Sequence, residues 1–155
     1  MIGEIVPATL EHAKRMAPNM RAEDAAEVWA SLNELPLEAL KTSLSWSLFA
    51  WTWLVDGEPA VMFGVGTANM LGNVGIPWML STPLVEKHWI TFLKGCKRNL
   101  PTLLRSWPHL ENYVDARYTL CHRWLRWLGF TLDDPVPFGK DQLPFHRFQL
   151  RTTHV

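Results

Sequence analysis

The chain has 155 residues, 48% hydrophobic and 19% charged, with 15 Lys+Arg balanced against 15 Asp+Glu. That length fits one domain burying about two thirds of its unfolded surface. The wealth of aromatic and aliphatic residues excludes a disordered chain, and the absence of net charge argues against binding driven by phosphate neutralisation, so no nucleic-acid partner is expected. The longest uncharged apolar-rich stretch, residues 44–55, is too short for a membrane span and carries Ser and Thr. Glu4, Glu11 and Lys14 interrupt the start before an apolar core could form, so no secretory signal is expected. Cys96 and Cys121 make neither a metal-type spacing nor a disulfide framework, which suits a reducing intracellular setting. Charge is uneven: residues 1–77 hold 4 basic and 9 acidic residues, residues 78–155 hold 11 and 6, net charges of −5 and +5. Two lobes would make this a dipolar particle; halves interleaved in one sheet would blunt it.

In chain order, residues 2–6 form an apolar start ended by Pro7, and Thr9 caps a helix over 10–17 that Pro18 closes. Ala25, Val28, Trp29 and Leu32 repeat at helical spacing, and Pro36 opens a further helix carrying Leu37, Leu40 and Leu44. The period then changes. Residues 50–55 and 60–65 are strand-like runs joined by Asp56-Gly57, a hairpin signal. Gly64, Gly66, Gly72 and Gly75 punctuate a loop before a strand over 76–80, where Pro77 demands a free edge or an irregularity. Ser81-Thr82-Pro83 reads as the start of a helix with Val85, Trp89, Phe92, Leu93 and Cys96 on one face and Lys94, Lys97 and Arg98 near its carbonyl pole. A strand over 110–116 follows. A helix over 118–128 then turns Cys121, Trp124, Leu125 and Leu128 inward and His122, Arg123 and Arg126 outward, with Gly129 as its C-cap. Residues 130–132 start a strand, 133–144 form a Pro/Gly loop, and 145–151 close the chain. The order is β-α-α-β-β-β-α-β-α-β-β, an α/β (α+β) domain on one mixed sheet.

That order, with Asn112-Tyr113-Val114-Asp115-Ala116-Arg117 and the helix-ending Trp127-Leu128-Gly129-Phe130, resembles the GCN5-related N-acetyltransferase fold. More narrowly, the chain looks like internal virion protein A of short-tailed phages. That likeness lies in Ile5-Val6-Pro7-Ala8-Thr9, residues 77–82, residues 112–117 and residues 144–150. The acetyltransferase resemblance implies three devices. One is a strand that hydrogen-bonds a pantetheine arm, here ending at Met79-Leu80. The second is a glycine-bearing turn of free amides that holds diphosphate. The third is a helical Tyr that protonates the departing thiolate. The matching turn, Ser81-Thr82-Pro83-Leu84-Val85-Glu86, has no glycine, loses an amide at Pro83 and adds a repelling Glu86; Ser81, Thr82 and Lys87 compensate in part. The Tyr position falls on Leu125, and the Asn and Ala of the same motif fall on Tyr118 and Cys121; Tyr118, about two helical turns earlier, is the substitute acid.

The expectation is therefore a phage assembly or particle-associated protein, non-catalytic and without a cofactor, on a degenerate acetyltransferase fold. The virion resemblance implies phage or host protein partners, host cytoplasm during infection, and the particle itself. Trp107 and Trp127 are the candidate interface residues, Trp being an area-rich anchor. The alternative is an N-acetyltransferase with an altered cofactor turn that uses acetyl-CoA through Met79, Leu80, Ser81, Thr82, Lys87 and Tyr118. A host-directed inhibitor is a third reading. Asp115 and Arg117 are a candidate pocket ion pair at the sheet's end. The six histidines make no zinc spacing. Cys121 and His122 point about 100° apart on a helix and cannot share a proton, and Asp133-Asp134 before Pro135 reads as a solvated turn.

Overall fold

Thr9 caps the first helix as expected. Its hydroxyl accepts the His12 amide at 3.1 Å while His12 Nδ1 accepts the Thr9 amide at 3.2 Å, satisfying two donors that a helix start leaves orphaned. The structure is a computed structural model describing residues 3–68, 71 and 73–152; Ile2, Gly72 and His154 lie outside the described residues. The elements are β1 (Gly3–Pro7), α1 (Leu10–Met16), α2 (Ala22–Leu32), α3 (Pro36–Trp46), β2 (Ser47–Val55), β3 (Glu58–Thr67), β4 (Val74–Ser81), α4 (Trp89–Ser106), β5 (His109–Asp115), α5 (Thr119–Leu128), β6 (Thr131–Leu132), β7 (Val136–Phe138) and β8 (Leu143–Arg151). The α+β class holds, with one helix more before the first hairpin and one short strand more in the Pro/Gly loop than the expected order. No helix among the described residues is long and apolar enough to cross a membrane.

The strands form one sheet in the order β1-β2-β3-β4-β5-β8-β6, with β7 also on β8. Asp56 and Gly57 turn β2 into β3 at φ 51° and 79°, the left-handed pair that a tight hairpin needs. Every pairing is antiparallel except β4 with β5, which is parallel and limited to Val74 with His109 and Gly75 with Leu110. Beyond Gly75 the two strands part. Pro77 has no amide to continue the ladder, and Trp107 packs directly on Gly75, where an added Cβ would meet Trp107 and Leu110 atoms at 2.9 Å. Helices α1–α3 cover one sheet face, packing on Met62 and Leu80. Helices α4 and α5 cover the other, on Trp53, Val61, Phe63, Met79 and Val65. The acidic and basic halves lie side by side in one sheet rather than interleaved, meeting at the parting of β4 and β5.

Several expectations are corrected. Ser81-Thr82-Pro83 does not open the long helix: Pro83–Lys87 is a 3-10 turn, His88 breaks the path at φ −134°, ψ 21°, and α4 starts at Trp89. Lys94, Lys97 and Arg98 then sit mid-helix, because α4 runs on to Ser106 through Pro101; that proline forfeits only the bond to the Lys97 carbonyl. Trp29, Leu32 and Trp89 are exposed, and the α2 residues turned inward are Asp24, Val28 and Ala30. His122 is buried, held by a ring nitrogen 2.9 Å from the Asp115 carbonyl. Gly64, Gly66 and Gly75 belong to strands rather than a loop.

The two candidate interface tryptophans separate. Trp107 is 7% exposed and belongs to the core with Leu110, Val114 and Phe148, so it presents nothing to a partner. Trp127 is 47% exposed, with the Lys97 ammonium 4.3 Å from its ring centroid and bonded to its carbonyl at 3.1 Å. Trp107→Ala should cost about 3–5 kcal/mol of stability, whereas Trp127→Ala should cost about 1 kcal/mol or less. Urea titrations with unchanged slope read both values.

Candidate functional site

The parting of β4 and β5 leaves backbone groups facing a gap, and side chains from α2 occupy most of them. The Thr82 amide reaches back to Ala60 of β3, so strand alternation turns the amides of Ser81 and Met79 toward the gap. Asp24 Oδ2 accepts both the Ser81 amide at 2.8 Å and the Ser81 hydroxyl at 2.7 Å. Across the gap, Glu27 Oε2 accepts the Asp115 amide at 3.0 Å. Asn112 bridges the two edges, its Nδ2 donating to the Pro77 carbonyl at 2.8 Å while its Oδ1 accepts the Tyr113 amide at 2.8 Å. These bonds leave the Met79 amide as a gap-facing donor without a side-chain acceptor. Asp24 and Glu27, three residues apart on one helix face, place two carboxyls in one opening.

Burial sets the charge there. It pushes the Asp24 carboxyl upward against the Ser81 and Tyr118 hydrogen bonds. It raises Glu27 to about 8, with the Asp115 amide opposing and the Asp24 and Asp115 charges adding to the rise. Glu27 keeps partial exposure and lines the cavity, so the surface it retains faces the cavity rather than bulk water. The Tyr118 hydroxyl is driven far up by burial and by Asp24, and it accepts from Arg21 Nη1 at 2.8 Å. Arg21, 4% exposed at its side chain, also pairs with Glu86 at 3.1 Å and Glu23 at 3.5 Å, while its amide bonds the Ser81 carbonyl. A cavity of about 720 Å³ passes through the gap, lined by Ser31 and Thr42 on the α2/α3 face and by Cys96 and Leu100 on the α4 face.

The structure brings together part of what the sequence singles out. Met79 faces the α4 side and Leu80 the opposite core. Ser81 and Thr82 are buried with their polar atoms engaged inside the protein. Lys87 is exposed at the end of the 3-10 turn, away from those contacts. Tyr118 and Cys121 both line the cavity. Asp115 and Arg117 do form the ion pair, bidentate at 3.0 and 2.6 Å. Desolvation pushes the Asp115 carboxyl upward, but its Arg117 hydrogen bonds outweigh that and hold it below its usual range. Arg21, Asp24, Glu27 and Asn112 escape the sequence reading. The available signal is Asp24 and Glu27 flanking Val28 on the stripe that must face the core, since carboxyls there are rarely buried without a task.

Neither a protein-family model nor a curated protein sequence matches the chain. Solved structures do. A RimL ribosomal L7/L12 α-N-protein acetyltransferase in complex with coenzyme A superposes at TM-score 0.72 and 10% identity, covering 97% of this chain and 94% of that one. A GNAT-family acetyltransferase from Bacillus anthracis gives 0.71 at 6% identity, with 97% and 95% covered. A chimeric spermidine N-acetyltransferase SpeG from Vibrio cholerae and hSSAT gives 0.69 at 8% identity, with 97% and 96% covered. The chain thus has the fold of GCN5-related N-acetyltransferases, and at these identities the likeness is one of fold. The likeness to internal virion protein A gains no support from these comparisons.

The Glu27 carboxyl also makes stability depend on pH. Between about pH 4.5 and 8 the folded chain keeps a proton on Glu27 that the unfolded chain releases. Stability therefore falls as pH rises through that window and levels off above it. Glu27→Gln, which retains the acceptor for the Asp115 amide, should flatten this fall, leaving the slope due to Asp24. Urea midpoints measured across the window check it.

Proposed function

We propose that the protein is an N-acyltransferase that moves an acyl group from a thioester, acetyl-CoA in its simplest form, to a small amine. The observation that carries the reading is Glu27, a carboxyl raised to about 8 inside the gap between the parted strands. A base with that affinity is matched to taking a proton from an amine near neutral pH. The acetyltransferase structures of the same fold, one of them in complex with coenzyme A, support it.

The gap fits the thioester end of such a donor. It offers the Met79 amide to an acyl oxygen, and Cys121 and Trp124 as an apolar wall. The turn after β4 does not fit a diphosphate in the way glycine turns do: the Val85 amide is spent on the Thr82 carbonyl, Pro83 has none, and Glu86 lies beside Arg21. No step is assigned to the nucleotide. A bound thioester supplies an electrophilic carbonyl carbon and a thiolate leaving group. Glu27 in its ionised form accepts the amine proton, Asp24 holds the Ser81 amide and hydroxyl beside it, and Tyr118, fixed by Arg21, keeps its proton and shapes the opening. Tyr118 acts here as a positioning group, not as the substitute acid.

The reading expects kcat/KM for acetyl transfer to rise with pH and level above about 8, and Glu27→Gln to lose about 10²–10⁴-fold without loss of fold. The opposing outcome is no acyl transfer to an amine from acetyl-CoA or from acyl-pantetheine thioesters at millimolar concentration, which removes the enzyme.

A second reading, a particle-associated scaffold with phage or host protein partners in the host cytoplasm or virion, is supported by the glycine-free turn and by exposed Trp127. It expects Trp127→Ala to abolish co-purification with assembling particles while acetyl-CoA binding is nil.

A further inference from the structure

We infer that the acyl group this gap is built to receive is a hydrocarbon chain longer than acetyl. The inference rests on the thioester reading and names its donor class. Ser31 and Thr42 on one face and Asn99, Thr102 and Ser106 on the other add uncharged polar groups to the cavity, while its carboxyls, Asp24 and Glu27, lie at the parted strands with the Met79 amide. From there the space continues between the sheet and α4, along Phe63, Met79, Phe92, Cys96, Leu100 and Trp124. Its volume of about 720 Å³ lies within the range of whole small-molecule pockets, about 300–1,000 Å³. An acetyl group would leave most of it without partner atoms, and apolar space of this kind does not hold water well.

Two thiols stand on its wall. Burial pushes the Cys96 thiol up to about 12 and raises Cys121 as well. Yet both residues keep some exposed surface, and both line the cavity. Their free surface is therefore internal. Charged side chains of α4, including Lys94, Lys97 and Arg98, are absent from the lining. A flexible methylene chain meets the apolar part of these walls, and no charged side chain of α4 is there to meet a charged acyl group.

The test is binding of S-acetyl-, S-butanoyl- and S-octanoyl-pantetheine to the full chain, read by tryptophan fluorescence. These probes carry no nucleotide, so the turn after β4 does not enter the result. Each buried methylene should tighten binding by about fourfold, and octanoyl should exceed acetyl by at least about 100-fold. Cys96→Phe, filling the far part of the cavity, should erase that gain while leaving the acetyl probe unchanged; Leu100→Phe serves the same end if the first variant does not fold. Equal or tighter binding of acetyl overturns the inference, as does a chain-length gain that both variants retain. The two readings fail separately. Acetyl transfer without chain-length preference keeps the enzyme and overturns the inference. A steep preference in binding with no transfer to any amine keeps the acyl site and overturns the enzyme.

Discussion

The rest of the structure depends on a ladder that stops after two residue pairs. If β4 and β5 remained paired, the sheet would be continuous and the chain would have a closed core with no opening. They part because Pro77 has no amide to offer and because Trp107 sits over Gly75, fixing the last paired position. Parted strands expose backbone groups in a buried place, and such groups must find partners. Asp24, Glu27 and Asn112 supply them. The gap is therefore a defect in the sheet held open by side chains that satisfy it. Those side chains are carboxyls in a poorly solvated setting, which is how the raised affinity of Glu27 for its proton arises.

The same defect organises the molecule on a larger scale. Strands β1–β4 come from the acidic half of the chain and β5–β8, apart from the end of β4, from the basic half, so the charge boundary and the gap coincide. Helix α2, from the acidic half, reaches across to the Asp115 amide, and Arg21 reaches across to Tyr118. With the Asn112 bond to the Pro77 carbonyl, these are among the contacts that tie the halves where the ladder does not. The two sheet faces are joined through the opening as well, with α2 and α3 on one side and α4 and α5 on the other. The cavity is therefore bordered from both faces, a geometry that a continuous sheet forbids.

Local signals were legible where one residue type has one physical use. Thr9 as a cap, Asp56-Gly57 as a hairpin turn, Gly129 as a left-handed stop and the Asp115–Arg117 pair all follow from short-range chemistry. The fold class follows from their order. What was not legible depends on distant partners. Trp107 and Trp127 have equivalent chemistry in the sequence, and only the packing against Gly75 makes one of them core. His122 looks like a solvent-facing residue until the Asp115 carbonyl, seven residues earlier, turns out to lie beside its ring. Asp24 and Glu27 look like ordinary acidic residues in a first helical turn and beyond, because nothing local says that the facing strand lacks a neighbour. Ser81-Thr82-Pro83 has the chemistry of a helix start, but Arg21 takes the Ser81 carbonyl and the Thr82 amide returns to β3, which delays α4 until Trp89.

Arg21 is where the question of the donor becomes one of electrostatics. Its guanidinium is nearly buried and its ion pairs are with Glu86 and Glu23. A diphosphate arriving at the turn would have to displace Glu86 from that cation or accept its repulsion, and the turn has no glycine and too few free amides to repay either cost. A thioester that enters the gap alone would disturb none of this, because burial already shifts the Asp24 and Glu27 carboxyls upward and Arg21 remains paired. The feature that speaks against tight nucleotide binding is thus separate, in residues and in charge, from the feature proposed to receive an acyl group. A chain can lose the first and keep the second. On this geometry, binding energy that enzymes of this fold draw from a phosphate-holding turn would have to come from the acyl chain itself, and the apolar space beneath α4 is the place in the molecule able to provide it.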